Sequence, residues 1–467
     1  MDTENENKKN ILLIMTDQHR HDYVGYLGNK WVDTPNLDRL ARKGMVFTHC
    51  CTTSAVCAPT RISLATGLLP TRTGTTSNER GFMPISIHNH YKHFRDNGYR
   101  VELVGHHDLA KPGAPASIYG NRPLNFSYGF TRTLEVEGGM ACSKDAEDGI
   151  ATGPWSAFLK HHGYLEKYGR DYQERKKKDW IIGASHDSIL PTHLHQDHFI
   201  TSEAVKRIEN IETDYPWYLF VTFQGPHDPF DPPKEIAEKY RNREMPPIIK
   251  SDHSQKAKRV NARSKSFEGH SEELMHTRRQ YCASIEFLDM QIGRMLDALK
   301  KRGLMDNTII VFTGDHGEML GDHGLYQKFV AYEAAMRVPL LIAGPGIPSG
   351  KSDALVELMD LNPTLVEYTG LPDQPNLDAR SFYPVLMGLE EEHRQNCINF
   401  EDRIYYSYYA IRDKKYKYII TVNDMDELYD LEEDPDETKN IIDERPEVAR
   451  RLYNEIYERV TEGQWNR

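Results

Sequence analysis

The strongest pattern along the chain is a set of short, mainly apolar runs, most of them followed by polar or charged side chains. Ile11 to Met15 and Thr308 to Thr313 read as buried strands, and Tyr99 to Val104, Tyr218 to Phe223 and Pro339 to Ile342 as further strands. Helical signals lie between them. Thr34-Pro35 opens a helix that stops at Gly44, with Thr34 as its cap and Pro35 in its first turn. A long amphipathic helix is predicted from about Glu273 to Lys301. Strands alternating with helices predict an α/β fold, a sheet with helices on its faces.

Residues from about 110 to 190 and from about 240 to 275 are rich in Gly, Tyr and Lys with weak periodicity. They read as long insertions, the usual material of substrate pockets. Near residue 388 the pattern changes. Tyr405 to Ile411 and Tyr416 to Val422 read as strands, Glu432-Glu433-Asp434-Pro435 as an acidic turn, and a terminal helix starts near Pro446. The chain is therefore expected to divide into a catalytic α/β domain over residues 1–387 and a small C-terminal α+β subdomain over 388–467.

Composition narrows the function classes. Hydrophobic residues make up 39% of the 467, enough for a sizeable core. The net charge of −12 argues against a nucleic-acid partner, and it requires any site for an anion to be locally basic. No apolar run reaches the roughly 18 residues a membrane span needs. The polar start MDTENENKKN lacks the features of a secretory signal, so a cytoplasmic location is expected. The cysteines, Cys50, Cys51, Cys57, Cys142, Cys282 and Cys397, form neither a disulfide framework nor a zinc pattern. A homo-oligomer is left open.

Four polar clusters each follow an apolar strand: Asp17-Gln18, Gly105-His106-His107-Asp108, Pro226-His227 and Asp315-His316. Ligands of open α/β sheets bind beyond the carboxyl ends of strands, so four such clusters point to one shared site. A fifth element is Cys57-Ala58-Pro59-Thr60-Arg61, where Pro59 suits a first helical turn and puts Cys57 at a helix N-terminus. Free N–H groups and the helix dipole favour an anion there, and Arg61 adds a positive fork. Taken alone, Cys57 also reads as a buried thiol, a disulfide partner of Cys50 or Cys51, or a plain thiol nucleophile.

The run Cys57-x-Pro59-Thr60-Arg61, continued by Thr66-Gly67, resembles the formylglycine motif of type I sulfatases in the alkaline-phosphatase-like superfamily. The resemblance spans nearly the whole chain. Asn10 to Gln18, Thr34 to Asp38, Thr308 to His316, Gly321 to Lys328 and Leu428 to Leu431 match the family's segments in order. It implies a mixed β-sheet sandwiched by helices and an enzyme that hydrolyses small-molecule sulfate esters. It also implies a maturation enzyme that oxidises Cys57 to formylglycine, whose hydrate attacks sulfur and later expels sulfate. Asp17, Asp315 and His316 would bind a divalent metal, with the modified Cys57 and Gln18 completing the shell. Many relatives carry a second Asp where Gln18 stands. Oxygen-rich ligands favour Ca²⁺ or Mg²⁺, and the His turns the set towards Mn²⁺. Arg61 and Lys328 would hold charge on the transferring group, His227 would be the general acid, and Asn78 would contact substrate.

One departure stands out. Many sulfatases read G-K-W-H after the second strand, where this chain has Gly105-His106-His107-Asp108. Either His106 takes the lysine's place or His107 reaches in. Phosphonate and phosphodiester hydrolases of the superfamily also depart here and share Asp-Gln after the first strand, which keeps a phosphorus substrate open. A non-catalytic binder of sulfated ligands is the alternative of another class. A separate motif, His193-Leu194-His195-Gln196-Asp197-His198, fits the H-x-H-x-D-H metal pattern. It lacks the preceding apolar strand, and Pro191 is unsuited to one, so a helix start with His195 edging the pocket is expected instead.

Overall fold

A computed structural model describes residues 8–111, 117–178, 185–264, 270–403 and 406–465. One sheet holds β1 (Asn10–Thr16), β2 (Met45–Cys51), β3 (Arg100–Gly105), β4 (Arg132–Glu135), β5 (Trp217–Thr222), β6 (Thr308–Gly314), β7 (Arg337–Ala343) and β8 (Gly350–Glu357). Their order is β4-β3-β5-β1-β6-β7-β2-β8. β7 pairs antiparallel with both neighbours, and the other pairings are parallel. Every residue of β1 is buried. Ile11, Leu13 and Met15 join Phe47, Leu103 and Val311 in one core, whereas Leu12 and Ile14 join Leu37, Ile200 and Ile292 in another. A strand covered on both faces has no solvent side for polar residues, which is why the run is unbroken.

The helices that frame the site are α1 (Pro35–Ala41), α2 (Cys57–Thr66), α3 (Gln196–Asn210) and α4 (Ser271–Lys301), and α4 packs against α1 and α3. The expected cap of α1 is corrected. Thr34 makes no side-chain capping bond; its hydroxyl donates to Asp38 Oδ1 at 2.9 Å and accepts from Gly25 N at 2.8 Å. Asp289, from the middle of α4, takes over. Its carboxylate accepts from Asn36 N at 3.0 Å and Leu37 N at 2.8 Å, tying two helices together across the core.

The region from 110 to 190 is more regular than its periodicity suggested. It holds helices Arg122–Ser127, Gly139–Asp148, Pro154–His161 and Leu165–Lys176, and β4 extends the main sheet. β2 and β8 also went unsignalled. Thr48 and His49, partly exposed, interrupt β2, and β8 opens on four partly or fully exposed residues, so neither shows a continuous apolar run.

A second sheet, antiparallel, contains β9 (Cys397–Arg403), β10 (Tyr406–Arg412), β11 (Tyr416–Thr421) and β12 (Glu427–Asp430), with α5 (Pro446–Trp465) after it. Tyr405, expected to begin a strand, lies outside the described residues. Leu452 and Ile456 of α5 pack on Ile398, Ile411, Tyr418 and Leu428. β9 also braces the loop ahead of α2: Asn399 Nδ2 donates to Thr52 O at 2.7 Å and Phe400 N to Thr53 O at 3.0 Å. Among the described residues, no helix is long and apolar enough to cross a membrane. The six cysteines are free and buried, so Cys57 forms no disulfide with Cys50 or Cys51.

Candidate active site

The carboxyl ends of β1, β3, β5 and β6 lie along one edge of the sheet, because these strands run parallel. α2 points its N-terminus at that edge. Cys57 is its first residue, preceded by extended Val56, and the whole helix is buried. Cys57 Sγ lies 3.2 Å from both Lys328 Nζ and His316 Nε2, and 3.8 Å from Asp17 Oδ1. Burial pushes the thiol up, and Asp17 adds to this against Lys111 and Lys328. Unmodified, it is a weak nucleophile at neutral pH.

Asp17, Cys57, Asp315 and His316 each offer a ligand atom, all within 4.8 Å of one another. Their orientation suits a cation. Arg61 takes the far oxygens of both carboxylates, with Nε 2.8 Å from Asp315 Oδ2 and Nη2 3.1 Å from Asp17 Oδ2. The Oδ1 atoms are thereby turned inward, each 3.6 Å from His316 Nε2. His316 Nδ1 donates to Gly317 O at 3.0 Å, which directs the Nε2 lone pair at the cluster. Burial lowers the pKa of this imidazole and so favours the neutral, ligating form. Burial raises Asp17, yet His227, Lys328, His106 and Arg61 together hold it well below the ordinary carboxylate range. The donor chemistry thus fits a divalent metal.

Arg61 departs from expectation. Its remaining nitrogen donates to His106 O at 3.0 Å and Thr222 Oγ1 at 2.8 Å, so the guanidinium clamps carboxylates and strand ends. It is not a free fork for an anion, because four acceptors inside the fold already use its donors. Lys328 is buried: Nζ donates to Gln18 Oε1 at 2.8 Å and approaches Asp17 Oδ1 at 3.9 Å. Gln18 has φ +64, in the left-handed region, and its Nε2 donates to Glu318 at 2.5 Å and to Asp228 at 3.1 Å. Its oxygen therefore faces the cluster while its nitrogen faces away. Glu318 went unread in the sequence. Burial pushes its carboxyl up to about 7, and it also accepts from Leu320 N and Gln327 N. The available signal was an acid three residues after Asp315 in a Gly-rich stretch.

On the β3 side, Gly105 has φ +113, and a Cβ there would stand 1.8 Å from Thr222 O, so only glycine lets β3 end this close to β5. His106 Nε2 then lies 3.1 Å from Asp17 Oδ2. His107 does not reach in: its Nε2 bonds Asn125 Oδ1 at 2.7 Å and its Nδ1 accepts from Leu109 N at 2.9 Å. Asp17, His106 and Asp108 form a second group of donors within 4.8 Å. Lys111, also missed, pairs with Asp108 at 2.5 Å; the three-residue spacing was its only signal. Asn78 Oδ1 accepts from Ala58 N at 3.1 Å, beside Cys57. His227 donates through Nδ1 to Asp228 O at 2.8 Å, leaving Nε2 as its working nitrogen.

Asn78, His106, Lys111 and His227 line a cavity of about 1010 Å³ whose far wall comes from the 110–190 region and α3. His195 edges it, as expected. The rest of the His193–His198 motif holds no metal group among the described residues: His193 is exposed, and His195 Nδ1 accepts from Asp197 N at 3.4 Å at the start of α3.

Strand ends converging on a helix N-terminus, with buried cations and a metal-ready donor set, define an alkaline-phosphatase-like hydrolase for a tetrahedral oxyanion ester. The sulfatase family model matches residues 9–371, and the model "N-sulphoglucosamine sulphohydrolase, C-terminal" matches residues 321–464. The chain belongs to the sulfatase family and is a sulfuric ester hydrolase. It is 28% identical to an arylsulfatase of Clostridium perfringens, over 98% of this chain and 96% of that protein. It is also 28% identical to a choline-sulfatase of Rhizobium meliloti, over 93% of this chain and 82% of that protein. A phosphonate monoester hydrolase of Agrobacterium radiobacter superposes with TM-score 0.83 at 25% identity, covering 98% and 96% of the two chains.

Proposed function

We propose that the chain hydrolyses sulfate monoesters with residue 57 as nucleophile, after a maturation enzyme has oxidised Cys57 to formylglycine. The observation that carries this is the position of Cys57: first in a buried helix, 3.2 Å from both Lys328 Nζ and His316 Nε2, in a group with Asp17 and Asp315. The formylglycine hydrate supplies a hydroxyl nucleophile that a buried thiol does not. Asp17, Asp315 and His316, with Gln18 and residue 57, would hold a divalent ion, Ca²⁺ before Mg²⁺ or Mn²⁺, which supplies a Lewis acid for the ester oxygens.

The chain's own residues do the rest. Arg61 fixes the two carboxylates. Lys328 keeps its charge against burial because Cys57, Asp17 and Asp315 hold it, and so sets a cation beside the nucleophile. His227, on the cavity side, gives a proton from Nε2 to the leaving oxygen. Asn78 and His106 bound the space the ester fills. A second reading, hydrolysis of phosphonate monoesters or phosphodiesters by the same nucleophile, draws on Gln18 and on the likeness to the Agrobacterium enzyme.

The test uses matured protein with conversion of Cys57 measured by peptide mass spectrometry. 4-Nitrophenyl sulfate is expected to exceed 4-nitrophenyl phenylphosphonate in kcat/KM, and the reverse order would favour the second reading. Cys57→Ala is expected to lose about 10⁴-fold or more in turnover. It should keep its metal, since Asp17, Asp315 and His316 remain. Retained turnover would remove residue 57 from the chemistry.

A further inference from the structure

The turn after β3 is built to return a lysine to the nucleophile. Asp108 has φ +53, a left-handed conformation that costs energy for a residue with a Cβ and recurs at functional sites. Beyond it the chain is clipped to the strip Asn78–Met83. Phe82 and Ala110 form an isolated antiparallel bridge, Met83 N donates to Leu109 O at 2.8 Å, and Lys111 N donates to Gly81 O. That strip is in turn fixed to α2 through Asn78 and Ala58 N. Gly81 is squeezed between the two: a Cβ there would stand 2.7 Å from Ala58 Cβ and 3.0 Å from Lys111 Cβ. Lys111 is thereby held within one residue's width of the helix turn that carries Cys57.

The charge environment agrees. Burial works against the Lys111 ammonium, but Asp108, Cys57 and Asp17 keep it protonated. Asp108 Oδ2 lies 2.5 Å from its Nζ. Lys111 lines the cavity with Asn78, His106 and His227, whereas Lys328 is buried behind Gln18. The two lysines thus act on Cys57 from different elements, one from the β6–β7 connection and one from the β3 turn. The donor group Asp17, His106 and Asp108 does not need a second metal, because Lys111 already neutralises Asp108 and Arg61 neutralises Asp17 Oδ2.

We propose that Lys111 is the cavity-side anion ligand of this site: its ammonium contacts a non-bridging oxygen of the sulfate group at residue 57, and Asp108 is the positioning residue that aims it. In this chain the cation expected at position 106 is delivered five residues later. The inference rests on reading residue 57 as the centre of group transfer.

The experiment separates the two readings. Calorimetric binding of inorganic sulfate to metal-loaded Cys57→Ala protein needs no turnover, and kcat and KM for 4-nitrophenyl sulfate are measured on matured protein with known Cys57 conversion. Lys111→Ala is expected to weaken sulfate roughly tenfold and lower kcat/KM about 100-fold, while Lys111→Arg stays within about fivefold of the parent. Lys111→Met keeps the aliphatic stem and gives the same readouts if the alanine variant does not accumulate. Asp108→Asn should raise KM more than it lowers kcat, with metal content unchanged at one ion per chain. Unchanged sulfate affinity in Lys111→Ala or Lys111→Met would overturn the proposal. So would two ions per chain with one lost in Asp108→Asn, which would make Asp108 a ligand. If matured parent protein cleaves no sulfate ester yet Lys111→Ala still weakens sulfate, the anion site stands and the residue 57 chemistry falls.

Discussion

The floor and the far wall of the cavity are both crowded with carboxylates, and they treat them in opposite ways. On the floor, Asp17 is buried and Asp108 partly so, yet surrounding cations hold both below the ordinary carboxylate range. On the wall, burial pushes Glu137 up to about 7, and it raises Asp197 as well. The difference lies in the partners. Floor acids face Arg61, Lys328 and Lys111, whereas Glu137 faces backbone N–H groups of Trp155 and Ser156, at 3.2 and 2.5 Å, and Asp197 faces Gly225 N at 3.3 Å. A buried acid matched by a cation stays charged and can bind a metal or orient a charged group. One matched by amides serves chiefly to end a helix or pin a loop. Residue type alone does not separate these roles.

The sharpest break in that contrast is to remove the floor's cation. Arg61→Ala leaves Asp17 Oδ2 and Asp315 Oδ2 buried without their charged partner, and removing one member of a buried pair costs about 3–5 kcal/mol. The variant is expected to melt well below the parent and to bind metal more weakly, since the far oxygens of both carboxylates lose the cation that ties them together. Thermal unfolding with elemental analysis checks this. Parent-like melting and metal content would mean that Arg61 does not organise the floor.

A smaller effect is expected from the wall. Glu137 carries a folded-state pKa near 7, above the ordinary 4.5, with burial as the largest cause. Its stabilising contribution is therefore complete below pH 4.5 and fades as pH rises through 7, by about 3 kcal/mol in all. Glu137→Gln removes the titration while keeping an acceptor for Trp155 N and Ser156 N. Between about pH 4.5 and 7, the window set by those two values, the variant's melting temperature should fall less steeply than the parent's. Parallel slopes would show that Glu137 is already charged at low pH.

Much of the floor was legible in the sequence because parallel strands advertise themselves. Runs such as Ile11–Met15 and Ile309–Phe312 are apolar throughout, so the polar cluster that follows each one stands out. Asp17, Asp315 and His316 were found this way, and the helix-start logic around Pro59 found Cys57. The role of Arg61 was not legible. Its place on α2 says which way it points, but not that acids from β1 and β6 arrive opposite. Glu318 was hidden for a like reason, because its link to the site runs through the distant Gln18, and the pairing of Lys111 with nearby Asp108 gave no sign that Cys57 lies close by. The wall was hardest to read. Its helices of 6 to 12 residues are too short to form alone and depend on packing, so their periodicity is weak.

The smallest expected effect concerns the motif that looks most like a metal site. His193, His195, Asp197 and His198 match a metal pattern in order and spacing, but the backbone that carries them is a 3₁₀ turn and the first turn of α3. Helical geometry sends neighbouring side chains in different directions. His193 faces solvent, Asp197 turns inward to Gly225 N, and His198 Nδ1 lies 3.3 Å from Arg294 Nη1, a cation where a metal would have to sit. Burial and Arg294 lower the pKa of His198 to about 4, so it is neutral at physiological pH and contributes little charge to lose. The double variant His193→Ala, His198→Ala is therefore expected to keep metal content at the parent value and kcat/KM within about twofold, with stability changed by less than about 1 kcal/mol. Loss of an ion in that variant would show that motif spacing outweighs side-chain direction here, and the contrast between floor and wall would have to be redrawn around two metal centres.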